Sequence, residues 1–177
     1  MNQFPVVRPL VCMVIALAGF TSLGGCKERQ EPHEAARKDA GLPAAAEWRL
    51  KDLAGAEVKL SQFKGKVVIV DFWATWCPPC RAEMPFYVDL YKKLAERGLV
   101  IVGISLDAQG PGVVRKFVAS MGINYPIVMG DDEVTSAYQV EVMPTTFVID
   151  RDGRIRHRKI GAVSDEAAFE KLIESYL

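Results

Sequence analysis

Two cysteines three residues apart, Cys77 and Cys80, enclose Pro78 and Pro79. On the first turn of a helix such a pair brings its Cα atoms near the roughly 5–6 Å that a disulfide prefers. The first cysteine then stands where backbone N–H groups point outward. Those donors and the helix dipole stabilise a thiolate and lower the thiol pKa. A thiolate is the nucleophile of disulfide exchange. The expected chemistry has Cys77 attack a substrate disulfide and form a mixed disulfide. Cys80 then resolves it, closing the Cys77–Cys80 bond and releasing reduced substrate. Proline is tolerated in a first helical turn, but it brings no N–H, so fewer donors reach the thiolate. The expected pKa depression is milder than in a strongly oxidising site. Zinc is the competing use of paired cysteines and usually takes four ligands. The chain has no second close Cys pair, and His33 and His157 are isolated and read as surface residues. No metal or other cofactor is expected.

The other two cysteines, Cys12 and Cys26, have a different setting. Met1 to Arg8 is a short polar start with one positive side chain, and Leu10 to Phe20 is almost wholly apolar. That run is shorter than the roughly 20 residues of a membrane-spanning helix and suits the apolar region of a secretory signal. Leu23-Gly24-Gly25-Cys26 follows and resembles a bacterial lipobox, in which cleavage falls before a cysteine that then carries lipid. The expectation is a signal peptide over 1–25 and lipidation at Cys26. An uncleaved apolar anchor would export the rest equally well. With the signal cleaved and Cys26 lipidated, Cys77 and Cys80 are the thiol pair left to the mature protein. The chain has 22 basic and 22 acidic residues, and the signal removes only Arg8 from that balance. Near-neutral charge argues against a nucleic-acid binder that relies on a basic field.

The elements that must position the dithiol follow in order. Residues 26–46 read as the lipidated Cys and a flexible tether: charge and alanine, Pro32 and Pro43, no aromatic residue. Such composition buries too little apolar area to offset its ordering entropy, and about twenty flexible residues span about 25 Å. The globular domain is expected over 47–177. Trp48-Arg49-Leu50 and Val58-Lys59-Leu60 alternate around Ala54-Gly55 as a hairpin. Val67-Val68-Ile69-Val70, within a strand from Lys66 to Trp73, and Leu99 to Ser105 are β-branched runs of strands buried on both faces. Between them a helix is expected from about Cys77 to Arg97, stopped by Gly98 and kinked by Pro85. Gly112 to Met121 has helical spacing, Tyr125 to Met129 reads as a short strand and Asp132 to Tyr138 as a short helix. Thr145 to Ile149 and Arg154 to Lys159 form a second hairpin, and Ser164 is expected to cap a last helix to Leu177. The class is α/β: a mixed central sheet flanked by helices, with an N-terminal hairpin and a central helical insertion.

The stretch from Val70 to Cys80, Val-Asp-Phe-Trp-Ala-Thr-Trp-Cys-Pro-Pro-Cys, resembles the active-site segment of the thioredoxin superfamily. Arg81 to Pro85, Val102 to Asp107 and Met143 to Asp150 make the wider pattern similar to its exported TlpA/ResA/CcmG-like branch. The resemblance covers nearly all of the globular domain. It implies a thioredoxin-like fold and periplasmic dithiol–disulfide exchange, often as delivery of reductant during cytochrome c maturation. It implies that Pro144 is a cis-proline packed beside the dithiol. Met143, with Pro144 and Thr145, would then offer backbone to substrate as a short strand pairing. Asp71 matches the buried acid beneath the dithiol of cytosolic-type thioredoxins, and Glu83 the acid one turn after the second cysteine in the exported branch. A carboxyl in an apolar setting exchanges protons near neutral pH, and Cys80 must lose a proton to resolve the mixed disulfide. The exported branch often has a neutral residue where Asp71 stands, so which acid is the base stays open. Trp76 is expected to shield the dithiol and contact substrate; Trp73 reads equally as core.

The leading reading is a membrane-tethered, monomeric reductant of exported protein disulfides. Apocytochrome c is the substrate and a membrane thiol shuttle the electron donor that the resemblance implies. A disulfide-forming oxidant is the alternative. A peroxiredoxin-like peroxidase would need Thr or Ser where Ala74 stands, and a copper chaperone of this superfamily would need a longer Cys spacing and a late His.

Overall fold

The computed structural model describes residues 43–177. The expected signal, Cys26 and most of the tether lie outside the described residues.

Strands β1 (Arg49–Asp52) and β2 (Glu57–Lys59) form the first hairpin. Asp52 makes its turn: Oδ1 accepts from the Ala54 and Ala56 N–H groups at 2.8 Å each. A 3₁₀ turn, Leu60–Phe63, leads to β3 (Val67–Trp73). Helix α1 (Pro78–Leu94) follows, with a 3₁₀ turn at Ala95–Arg97, and Gly98 ends it at φ 107°. Pro85 lies inside α1, where it removes the bond that would reach the Arg81 carbonyl. Then come β4 (Leu99–Ser105), α2 (Pro111–Met121), β5 (Ile127–Met129), α3 (Asp132–Ala137), β6 (Thr145–Ile149), β7 (Ile155–Ile160) and α4 (Glu166–Glu174).

The seven strands form one sheet in the order β2-β1-β5-β4-β3-β6-β7. β3, β4 and β5 run parallel, while β1, β6 and β7 join antiparallel. The expected mixed sheet with an N-terminal hairpin and a helical insertion is therefore present. Every residue of β3 is buried, because both faces are covered. Val67, Ile69 and Trp73 point to the side packed by α1, α2 and α4, through Met84, Tyr87, Val114, Phe169 and Ile173. Val68, Val70 and Phe72 point to the opposite side with Trp48, Leu60, Val134 and Tyr138. Period two in one strand thus feeds two cores.

Three expectations change. Pro43 to Ala46, read as the end of the tether, already bond to the domain: Ile155 N donates to Pro43 O and Ala45 N to Gly153 O, both at 2.9 Å. Tyr138 Oη donates to Ala46 O at 2.8 Å. Asp165, not Ser164, caps the last helix, its Oδ1 accepting from Ala168 N at 2.9 Å. Three residues separate acceptor from donor, the spacing an N-cap needs. His157, read as surface, is half-buried with its ring 6.2 Å from that of Phe169.

Candidate active site

The site is assembled where β3 ends and α1 begins. Leu106 N donates to Trp73 O at 2.8 Å, holding β3's end to the chain leaving β4. The backbone then turns through Ala74, Thr75 and Trp76, with Cys77 N donating to Ala74 O at 3.1 Å. Cys77 is the N-cap of α1 in extended conformation, and Pro78 opens the helix. Cys77 and Cys80 are joined in a disulfide, with Cα atoms 5.4 Å apart. Cys80 N donates to Cys77 Sγ at 3.3 Å. This side-chain contact to a first-turn N–H is the interaction expected to stabilise a Cys77 thiolate. Both cysteines are buried, Cys77 keeping 4% of its surface against 1% for Cys80, while both prolines are exposed.

The bond before Pro144 is cis. Pro144 O accepts from Gly161 N at 2.8 Å, and Thr145 Oγ1 donates to Val142 O at 2.6 Å. Thr145 is buried and its strand pairs on both sides, with Phe72 and with Ile160. The structure therefore puts Thr145 beneath the loop, with its hydroxyl and ladder positions already used, rather than facing substrate. Met143 differs. No backbone hydrogen bond among the described residues uses its N–H or C=O, and its side chain packs against the cluster that contains both cysteines. Trp76, directly before Cys77, is 61% exposed. Trp73 is fully buried core.

Asp71 lies on β3 between Ile69 and Trp73, so alternation turns it to the α1 side of the sheet. Thr146 lies directly opposite on β6 and donates to Asp71 Oδ1 at 3.2 Å; its Oγ1 also meets Tyr87 Oη at 3.0 Å. Glu83 follows Cys80 by three residues, on the same helix face. It is buried, and its Oε2 accepts from Val163 N at 3.0 Å while Oε1 has no partner. Burial pushes Glu83 up to about 7; the Val163 N–H and the charge of Lys159 only partly oppose this. Asp71 is pushed up as well, first by burial and then by the Glu83 charge, against the Thr146 hydrogen bond. Two acids on one buried face resist ionising together. Asp71 has the deeper burial, so Glu83 ionises first.

Asp107, in the loop after β4, was given no role from the sequence. It is buried and accepts from Thr75 N at 2.9 Å, Thr75 Oγ1 at 2.5 Å and Ser105 Oγ at 2.9 Å. Among the described residues no cluster of His, Cys, Asp and Glu could hold a metal ion.

A disulfide across the first turn of a helix, a cis-proline in a neighbouring loop and this sheet order define a thiol–disulfide oxidoreductase of thioredoxin-like fold. The chain belongs to the AhpC/TSA family, whose model matches residues 43–158. It is 34% identical over 173 residues to the thiol-disulfide oxidoreductase ResA of Bacillus cereus, covering 96% of this chain and 92% of that one. It is 37% identical over 132 residues to the ResA of Geobacillus kaustophilus, covering 74% and 75% of the two chains. A thiol:disulfide interchange protein of Chlorobium tepidum superposes with a TM-score of 0.71 at 32% identity, covering 78% of this chain and 98% of that one. These likenesses accord with the TlpA/ResA/CcmG-like branch. The position three before Cys77 is the buried Ala74, so the hydroxyl a peroxidase site would need there is missing.

Proposed function

We propose that this oxidoreductase works as a reductant of disulfides in exported proteins, held to a bacterial membrane by lipid on Cys26. The observation that carries the reducing direction is the single backbone N–H on Cys77 Sγ, from Cys80. Pro78 and Pro79 cannot add donors, so the thiolate is only moderately stabilised, and a less stable reduced form is a stronger reductant. Cys77 attacks the substrate disulfide, one substrate sulfur leaves as thiolate, and a mixed disulfide forms. Glu83, ionised near neutral pH, takes the proton of the Cys80 thiol. The Cys80 thiolate attacks Cys77 Sγ, and the second substrate sulfur leaves. Burial and the Glu83 charge keep Asp71 protonated beside it. The unused backbone of Met143, ahead of Pro144, pairs with the extended substrate segment, and the exposed Trp76 contacts it.

The apolar N-terminal run ending in Leu23-Gly24-Gly25-Cys26 supports export and anchoring. Apocytochrome c is the substrate favoured by the resemblance, and a membrane thiol shuttle the donor that returns two electrons to the Cys77–Cys80 disulfide. Trapping thiols in intact cells tests the direction. The reading expects Cys77 and Cys80 mainly reduced while a donor is active; a dithiol found almost wholly as disulfide under those conditions contradicts it. Cys26→Ala should leave the protein unlipidated, and a variant that still carries lipid contradicts the anchor.

A further inference from the structure

The loop between β3 and α1 carries the nucleophile, yet Thr75 and Trp76 within it are part-exposed and belong to no regular element. Both hydrogen-bonding groups that Thr75 can donate, its N–H and its hydroxyl, go to one carboxylate, that of Asp107. Asp107 is anchored in turn by the fully buried Ser105 at the end of β4: Ser105 Oγ donates to Oδ2 at 2.9 Å and lies 3.3 Å from Asp107 N. Gly110 N donates to Asp107 O at 3.1 Å, closing the loop behind it. A rigid strand end therefore grips the loop two residues before Cys77, from the side away from the cis-proline loop.

We infer that Asp107 is a positioning residue for the redox reaction, acting through Thr75 to keep Cys77 at the N-cap where Cys80 N–H reaches its sulfur. This rests on Cys77 being the attacking sulfur. The geometry explains why a carboxylate serves here. Its two oxygens accept both Thr75 donors and the Ser105 hydroxyl at once, whereas an amide would turn an N–H₂ group toward one of those donors. A bidentate grip fixes the orientation of Thr75 and not merely its distance. With it released, the loop gains freedom, the sulfur drifts from its donor, and the thiolate loses stabilisation. A misplacement of about 1 Å can cost about a hundredfold in rate.

The experiment compares Thr75→Val, Thr75→Ser and Asp107→Asn in the whole domain. Each is followed by ultraviolet titration of the Cys77 thiolate, by the rate of attack on glutathione disulfide and by thermal unfolding. Thr75→Val keeps the shape of the side chain and removes one arm of the grip. It should raise the thiolate titration by about one unit and slow attack at neutral pH about threefold, the loss of thiolate being partly offset by its greater nucleophilicity. Asp107→Asn should do at least as much, and Thr75→Ser should restore both values toward wild type. If Asp107→Asn does not fold, Thr75→Val against Thr75→Ser decides alone. Folded Thr75→Val that titrates and reacts like wild type overturns the inference. So does a slow Thr75→Val whose titration is unmoved while its unfolding temperature falls, since that describes general loosening. If Cys77 proves not to be the attacking thiol, the underlying reading fails first; alkylation of reduced protein identifies that case separately.

Discussion

Glu83 and Asp71 share the face of the sheet that holds the dithiol, and burial raises both. The ordering of the two gives a kinetic prediction. The rate at which Cys80 resolves a preformed mixed disulfide should climb with pH around an apparent value of about 7, that of Glu83. Glu83→Gln should lower the plateau by about a hundredfold, the usual scale for losing a general base, and remove the inflection. Asp71→Asn should keep the inflection near the same pH, since a protonated Asp71 puts no charge beside Glu83. Stopped-flow resolution of both variants checks this; an inflection that survives Glu83→Gln and vanishes in Asp71→Asn exchanges the roles. The same shift acts on stability. The folded Glu83 binds its proton more tightly than an unfolded one at 4.5, so the native state holds more protons between 4.5 and about 7. Stability must therefore fall as pH rises through that window, by roughly 3 kcal/mol from this group. Urea titrations at pH 4.5 and 7.5 should show a flatter dependence in Glu83→Gln. At this scale the sequence was informative where types and spacing are local, as in Cys77 and Cys80, while the cis-proline at 144 followed from the resemblance. The partnership of Thr75 with Asp107 joins residues 32 apart. Nothing local in either residue marks it.

The elements were legible wherever one pattern ran uninterrupted. The apolar runs of β3 and β4 and the stop at Gly98 needed no tertiary context. Ends were less so. Ser164 and Asp165 are adjacent and both good caps; only the turn of the incoming chain from β7 decides that Asp165 bonds Ala168. Asp165→Ala should cost about 1 kcal/mol of stability and Ser164→Ala only a few tenths, measured as a shift in urea midpoint at constant slope. The edge at Pro43 was missed for a related reason: an alanine- and proline-rich segment has little pattern of its own, and its bonds are to a distant hairpin. Gly103 shows packing that composition hides. A Cβ there would lie 2.8 Å from Trp73 Nε1 and 2.6 Å from Ile127 Cδ1. Ile127 can turn aside, but the buried indole under the active-site loop cannot. Gly103→Ala should destabilise by about 1–3 kcal/mol, the range for overpacking, and denaturant unfolding measures it.

For the molecule as a whole, the fold supplies two supports to one disulfide. From the loop that enters β6 comes the cis-proline with the Met143 backbone unused. From the end of β4 comes the Asp107 grip on Thr75. Between them, α1 offers Cys77 Sγ one N–H and places Glu83 a turn below Cys80. Strand order and sheet type were readable because strands and helices alternate along the chain. The reducing direction is a smaller energy, about 1.4 kcal/mol for each 30 mV, and rests on how few donors the proline pair leaves. Equilibrating the Cys77–Cys80 couple against a glutathione series measures it directly. A midpoint near about −270 mV or below is the predicted result for a reductant, and one near about −120 mV, the range of a disulfide-forming oxidant, would contradict it.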